Sequence, residues 1–372
     1  MNDPKQRHHA ANVSRAFCNV IPTDRVRCVA LLAAVMFTAG ACADEPSTPE
    51  RQATSSDAAL TGTIVFKPTT KEPNVAERFQ LAAHEFDFQQ QETVRVGQSY
   101  SVSHVTFPSP VTTKHEANNT VHCEYFRPLS GDRDGNDDAA SAVNGKPVPG
   151  VVVLHILGGD FPLARMFCMR FASHGVAALF VKMPYYGPRR TPGEPARMVS
   201  SDPKQTVRGM TQAVLDVRRA VAWLGAQEEI DGERLGVFGI SLGGITASLA
   251  ATAEPRIVKV CPVLAGGDIG QVAWQSPELA KYRDRWKSEG YTQNSVVALM
   301  RQIDPVTYAG GVAGKKILMI NATADEVIPR RCTESLWVAF GKPPIVWFDG
   351  GHYSAAFHIL DCLRLSSEFF AA

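Results

Sequence analysis

Gly239-Ile240-Ser241-Leu242-Gly243-Gly244 joins an apolar run, Arg234 to Ile240, to a run of small residues, Leu242 to Ala253. The first run predicts a strand and the second a helix packed close to its neighbours. A strand that turns into a helix across one residue leaves room only for small flanking side chains, which Gly239 and Gly243 supply. The serine then stands on a strained turn with its hydroxyl above the sheet edge. The helix that starts there aims free N–H groups and its positive dipole end at any negative charge formed beside the serine. A glycine-rich turn without chemistry has the same letters, so the surroundings decide.

Those surroundings alternate strand and helix. Val151-Val152-Val153-Leu154 is a continuous apolar run, expected of a strand buried on both faces. Phe161 to Ser173 follows with Leu163, Met166, Phe167 and Phe171 on one helical face and Gly175 as the stop. Val176 to Met183 is a strand, and a long helix carries Val207, Met210, Val214, Val217, Val221 and Leu224. Ile257 to Leu264, Lys316 to Ile320 and Pro344 to Phe348 are further strands, and a helix from about Tyr353 to Phe370 closes the chain. Repeated βαβ units mean an α/β protein, a mainly parallel sheet flanked by helices on both faces. Ser101 to Val111 and Val121 to Pro128 predict an N-terminal antiparallel edge, and Leu129 to Pro149 a polar loop. Gln271 to Arg301, with Trp274, Tyr282, Trp286 and Tyr291 amid charges, breaks the alternation as a helical cap insertion. The net charge of +1 gives no footprint for nucleic acid.

Arg25 and Arg27 precede an uncharged run, Cys28 to Ala43, which gives way to Asp44, Glu45 and Pro46. That order predicts an export signal, and with it a periplasmic or cell-surface protein. Ala39-Gly40-Ala41-Cys42 resembles a lipobox, so Cys42 is the candidate for lipidation and for a membrane tether. The expected organisation is a leader over 1–42, a tether over 43–60, an N-terminal extension over 61–100 and the α/β domain over 101–372, with the insertion at 271–301. Beyond the leader, Cys123, Cys168, Cys261, Cys332 and Cys362 have no metal-type spacing, and one disulfide among them is open. Cys168, Cys261 and Cys362 read as core residues. No metal site is expected.

A serine hydroxyl needs a base to take its proton. In folds built on such an elbow the acid and then the histidine follow in chain order. Only His352 and His358 lie downstream; His352 sits in a loop, Asp349-Gly350-Gly351-His352, and His358 inside the closing helix. His352 is the expected base. Asp325, in Asn321-Ala322-Thr323-Ala324-Asp325-Glu326, is the expected orienting acid, with Glu326 as its rival and Asp349 as a loop residue. The oxyanion of an acyl intermediate needs two donors. The Leu242 N–H is one, and the loop after Val151 to Ile156 offers that of Leu157, with Gly158 next. His155 reads as structural.

Ile230-Asp231-Gly232-Glu233-Arg234-Leu235-Gly236-Val237-Phe238 before the elbow, Asp304-Pro305, the segment around Asp325 and Met183-Pro184-Tyr185-Tyr186-Gly187 carry a resemblance. From about Ser101 to the C-terminus the chain resembles the α/β-hydrolase superfamily, nearest its dienelactone-hydrolase and acetyl-xylan-esterase-like branch. Where that branch has His-Gly in the oxyanion loop, this chain has His155-Ile156. The resemblance implies an α/β-hydrolase fold and hydrolysis of a small-molecule ester without a cofactor. Tyr185 and Tyr186 are then expected at the mouth of the site. Trp274 and Trp286 either roof it or pack the insertion onto the body. Arg189 and Arg190 read as an exposed charged loop, with capture of a substrate carboxylate as the alternative. A serine exopeptidase uses the same machinery. A surface lipoprotein that binds without catalysis is the remaining alternative. Sequence leaves the oligomeric state open.

Overall fold

The computed structural model describes residues 59–129 and 146–372. The expected leader, Cys42 and most of the 43–60 tether and the 129–149 loop lie outside the described residues.

Eleven strands form one mixed sheet in the order β1-β2-β3-β4-β6-β5-β7-β8-β10-β11, with β9 paired to β8. β1 (Leu60–Phe66), β2 (His84–Val96), β3 (Tyr100–Pro108) and β4 (Thr120–Pro128) run antiparallel, and β4 also meets β6 (Ala177–Val181) antiparallel. From there β5 (Val148–Leu154), β6, β7 (Ile230–Ile240), β8 (Ile257–Val263), β9 (Lys316–Ile317), β10 (Met319–Ala322) and β11 (Ile345–Phe348) are parallel. The sheet does not close into a barrel. Every residue of β5 and β6 is buried, as strands covered by helices on both faces must be.

The antiparallel edge is larger than expected, because segment 61–100 adds β1 and β2 to it. Arg218 ties that segment to the body. Its guanidinium is buried, lies 2.6 Å from Glu72 and 3.1 Å from Glu254, and donates to the Phe79 carbonyl. Tyr125 and Phe88 pack edge-on against Trp223 from the same side.

Helices α1 (Phe161–Ala172), α2 (Pro203–Leu224), α3 (Leu242–Ala253), α4 (Ile269–Gln275), α5 (Ala280–Ser288), α6 (Gln293–Met300), α7 (Arg330–Ala339) and α8 (Ile359–Ala371) complete the described chain. Asp160 and Asp202 cap α1 and α2 by accepting from the N–H groups of Leu163 and Lys204. The insertion is helical, as α4, α5 and α6. Two elements differ from expectation. α7 follows β10, and the start of the closing helix is a 3-10 turn, Ser354–His358, that leads into α8. The parallel strands all point the same way, so the loops after β5, β7, β10 and β11 gather at one end of the sheet.

Candidate functional site

Ser241 ends β7 and begins α3 with φ 55° and ψ −117°, a backbone conformation rarely held by a residue with a side chain. Its N–H donates to the Val263 carbonyl at 2.8 Å, and its own carbonyl accepts from the Ile245 N–H at 2.9 Å. The neighbouring strand and the helix thus hold the strained residue between them, offsetting a cost of about 1–3 kcal/mol. The flanking glycines are needed for the close approach. A Cβ on Gly239 would overlap the Gly243 carbonyl, and one on Gly243 would lie 2.5 Å from the Leu154 oxygen and 2.6 Å from that of His155.

Two loops bring side chains to the Ser241 hydroxyl. His352, after β11, sets Nε2 at 3.0 Å from Ser241 Oγ, while its Nδ1 lies 2.8 Å from Asp325 Oδ2 after β10. The other Asp325 oxygen accepts from the N–H groups of Val327 at 2.9 Å and Ile328 at 2.7 Å, which fixes the carboxylate. With Nδ1–H donating to Asp325, Nε2 is left to accept the serine proton. Such an arrangement can make a serine nucleophilic.

Glu326 is not at the ring. Its Oε2 accepts from the His352 backbone N–H at 2.9 Å, and a Cβ on Gly351 would overlap that carboxylate. Glu326 therefore clamps the loop that carries the histidine. Asp349 accepts from the Thr323 hydroxyl at 3.3 Å. His358 stacks on Phe348 at 4.5 Å and meets the Asp349 carbonyl at 3.1 Å, away from Ser241.

The loop after β5 is held from behind. His155 donates from Nδ1 to the Ile156 carbonyl at 2.8 Å and accepts at Nε2 from the Met183 N–H at 3.1 Å. Both partners fix one neutral tautomer, and burial pushes the imidazole pKa down to about 4. Tyr186 packs edge-on to His155 at 4.6 Å, and its hydroxyl hydrogen-bonds with the backbone of Gly158. Leu157 lines a cavity of about 80 Å³ at Ser241, together with Leu242, Met210, Val272, Trp286 and Met300. The two residues expected to supply oxyanion donors thus border the same space as the serine.

The aromatic residues expected nearby divide. Trp286 walls the cavity and donates from its indole to the Ser201 carbonyl at 2.9 Å. Trp274 stacks behind it, ring centroids 6.4 Å apart, and packs the insertion rather than lining the cavity. Tyr186 buttresses the loop after β5. Tyr185 departs from expectation. With φ 65° it turns the other way, donates its N–H to Asn118 at 2.9 Å, packs on His115 and lines a separate cleft of about 630 Å³.

Arg189 also departs from the exposed charged loop that sequence suggests. It is wholly buried, 2.8 Å from Asp216, and donates to the carbonyls of Lys182 and Asn118. It is thereby withheld from any substrate carboxylate; Arg190 is exposed. Cys123, Cys168, Cys261, Cys332 and Cys362 are all buried free thiols, so the open disulfide is absent among the described residues. Among those residues no group of His, Cys, Asp and Glu is arranged to hold a metal.

One contact had no signal in the sequence. The Tyr353 hydroxyl donates to Glu278 of the insertion, and the Tyr353 ring packs edge-on to His352 at 5.6 Å. Burial, together with the bond to Glu278, pushes the phenol pKa up.

The family model described as "Alpha/beta hydrolase domain containing 18" matches residues 151–269, the stretch from β5 through the elbow to α4. Among solved structures, an acetyl xylan esterase from a Paenibacillus species superposes with a TM-score of 0.57 at 20% identity, over 76% of this chain and 88% of that one. The chain has the α/β-hydrolase fold. An acetyl xylan esterase from a Thermoanaerobacterium species shares this α/β-hydrolase fold with a TM-score of 0.54 at 15% identity, over 76% of this chain and 87% of the other. Two uncharacterized proteins from strains of Mycobacterium tuberculosis are each 30% identical over 214 residues, 56% of this chain and 50% of theirs. The chain thus spans about half the length of the curated relatives it matches. In the α/β-hydrolase sheet, Ser241 occupies the strand-to-helix elbow, and Asp325 and His352 follow it in chain order.

Proposed function

We propose that the protein is a serine hydrolase that cleaves carboxylic esters of a small molecule through an acyl-enzyme. The chief support is the unbroken chain of contacts from Asp325 through His352 to the hydroxyl of the strained Ser241. Ser241 Oγ attacks the ester carbonyl while its proton passes to His352 Nε2. The C–O bond to the alcohol breaks, and the alcohol leaves with the proton from Nε2. Water then attacks the acyl-enzyme, giving its proton to Nε2. The serine leaves with that proton and the acid is released. Asp325 holds the ring and offsets its charge. The N–H groups of Leu242 and Leu157 receive the oxyanion. No step calls for a cofactor.

An ester is favoured over an amino-terminal amide by the mainly apolar make-up of the cavity. Glu278 is a carboxylate in its lining, and it already accepts from Tyr353. It is the lining carboxylate that a substrate ammonium would pair with, and aminoacyl anilides test that pairing. Export and lipidation at Cys42 belong to the same proposal.

The test compares p-nitrophenyl acetate with aminoacyl p-nitroanilides, using the native protein and Ser241→Ala. Ester turnover that falls by at least about 10⁴-fold in a folded Ser241→Ala protein is expected. Full ester turnover by that variant with native circular dichroism excludes the mechanism. Faster turnover of the anilides moves the reading to a peptidase.

A further inference from the structure

We infer that the cavity at Ser241 is an acyl pocket, and that it selects esters of a small apolar acid of about four carbons. The inference rests on the serine-hydrolase proposal above and adds a substrate class to it.

A leaving alcohol must take its proton from His352 Nε2, so it lies on the His352 side of the reacting carbon. Ser241, Leu157 and Leu242 line the cavity, whereas His352 does not. The cavity is therefore reached from the serine and the expected oxyanion donors, on the side away from the departing alcohol. That space belongs to the acyl group. The alcohol side faces outward past His352, where the half-exposed Tyr353 reaches back to Glu278 of the lining.

Chemistry follows from the walls. Met210 comes from α2, Val272 and Ala273 from α4, Trp286 from α5, Met300 from α6, and Ile303 lies just beyond it. Their side chains are buried and apolar. Two polar groups of the lining are engaged within the protein. The Thr206 hydroxyl exchanges hydrogen bonds with the Ser200 backbone, and Glu278 accepts from Tyr353. An acyl chain bearing a carboxylate would lose its water there among mainly apolar walls and face the like charge of Glu278.

Size follows from volume. An apolar cavity of about 150 Å³ takes up benzene, roughly 25 Å³ per carbon. At about 80 Å³ this one holds about three carbons beyond the carbonyl. Butyryl or isobutyryl fills it. Acetyl leaves most of it empty, and octanoyl exceeds it. The insertion supplies most of the far wall, so the acyl limit is set by α4, α5 and α6.

The experiment measures kcat/KM of the full chain on p-nitrophenyl acetate, butyrate and octanoate, then on butyrate esters of ethanol, butanol and benzyl alcohol. Each methylene brought out of water is worth roughly fourfold. Butyrate is expected to exceed acetate by roughly tenfold and octanoate by more, while the alcohol series varies by less than about threefold. Ala273→Val should move the optimum toward acetate, and Met300→Ala toward hexanoate, each with native circular dichroism. A flat acyl profile, an acetate optimum, or a profile that follows the alcohol overturns the pocket assignment while leaving the serine mechanism standing. Failure to hydrolyse any of these esters, with no covalent labelling of Ser241 by a fluorophosphonate, removes the serine-hydrolase proposal itself and this inference with it.

Discussion

Beside Ser241, one residue, His352, is held by two different carboxylates at once. Asp325 holds the His352 ring through Nδ1, and Glu326 holds the His352 backbone through its N–H. The two adjacent acids should therefore separate in kinetics. Asp325→Asn offers Nδ1 an amide that favours the wrong tautomer, and kcat should fall by about 10⁴-fold with KM little changed. Glu326→Ala frees a loop but leaves the ring contact, so a loss of roughly tenfold is expected. Ester kinetics on the two variants check this ordering, and equal losses would contradict it. Sequence placed Ser241, Asp325 and His352 in order because the elbow and the two strand-end loops are local patterns. It left Glu326 as a rival acid, since nothing in consecutive letters says which of two neighbouring carboxylates turns inward. Tyr185 shows the same limit: adjacent tyrosines in one turn point to opposite sides once φ reaches 65°.

At the scale of elements, the turns hold the site and a buried polar network holds the turns. Gly243→Ala would press a methyl against two carbonyls of the β5 end, forcing apart the elbow and the loop that bears Leu157. That variant should lose ester turnover even where it folds, as kinetics beside circular dichroism would reveal. Arg189 is the second case. Burial raises the Asp216 pKa, and the Arg189 guanidinium works against that rise. Arg189→Met leaves Asp216 buried with the Ser109 hydroxyl at 2.6 Å and the weaker pull of Arg219. A stability loss of about 3–5 kcal/mol in urea unfolding is expected, and a loss below about 1 kcal/mol would show that the pair does not hold the turn. Neither Arg189 nor α7 was legible beforehand. The burial of Arg189 depends on an aspartate on a distant helix. In α7 only Cys332, Thr333 and Leu336 are buried, too narrow a stripe to stand out beside Arg330, Arg331 and Glu334.

For the whole molecule, the alternation of apolar runs and helical stripes made the parallel sheet readable, because each βαβ unit repeats the same local signals. The strands of segment 61–100 were not readable. Their apolar residues alternate only where β1 and β2 lie against the body, and β2 continues outward as an exposed ribbon. The fold also sets an acid limit. His155 is buried in neutral form with its pKa near 4, and burial beside His104 brings His122 to about 4 as well. The unfolded chain binds protons at these positions below about pH 6.5 that the folded chain refuses until about pH 4. Stability is therefore lost as pH falls through that window, by about 2 kcal/mol between pH 7 and pH 5 for His155 alone, with a smaller part from the partly exposed His122. Urea midpoints at the two pH values test it, and equal midpoints would contradict it.

The central claim is that Ser241 is an activated nucleophile, and fluorophosphonate labelling of the full chain followed by peptide mass mapping tests it most directly. One label is expected, on the peptide that contains Ser241, lost in Ser241→Ala and strongly slowed in a folded His352→Gln protein. A folded native protein that takes no label, or takes it on another serine, would contradict it.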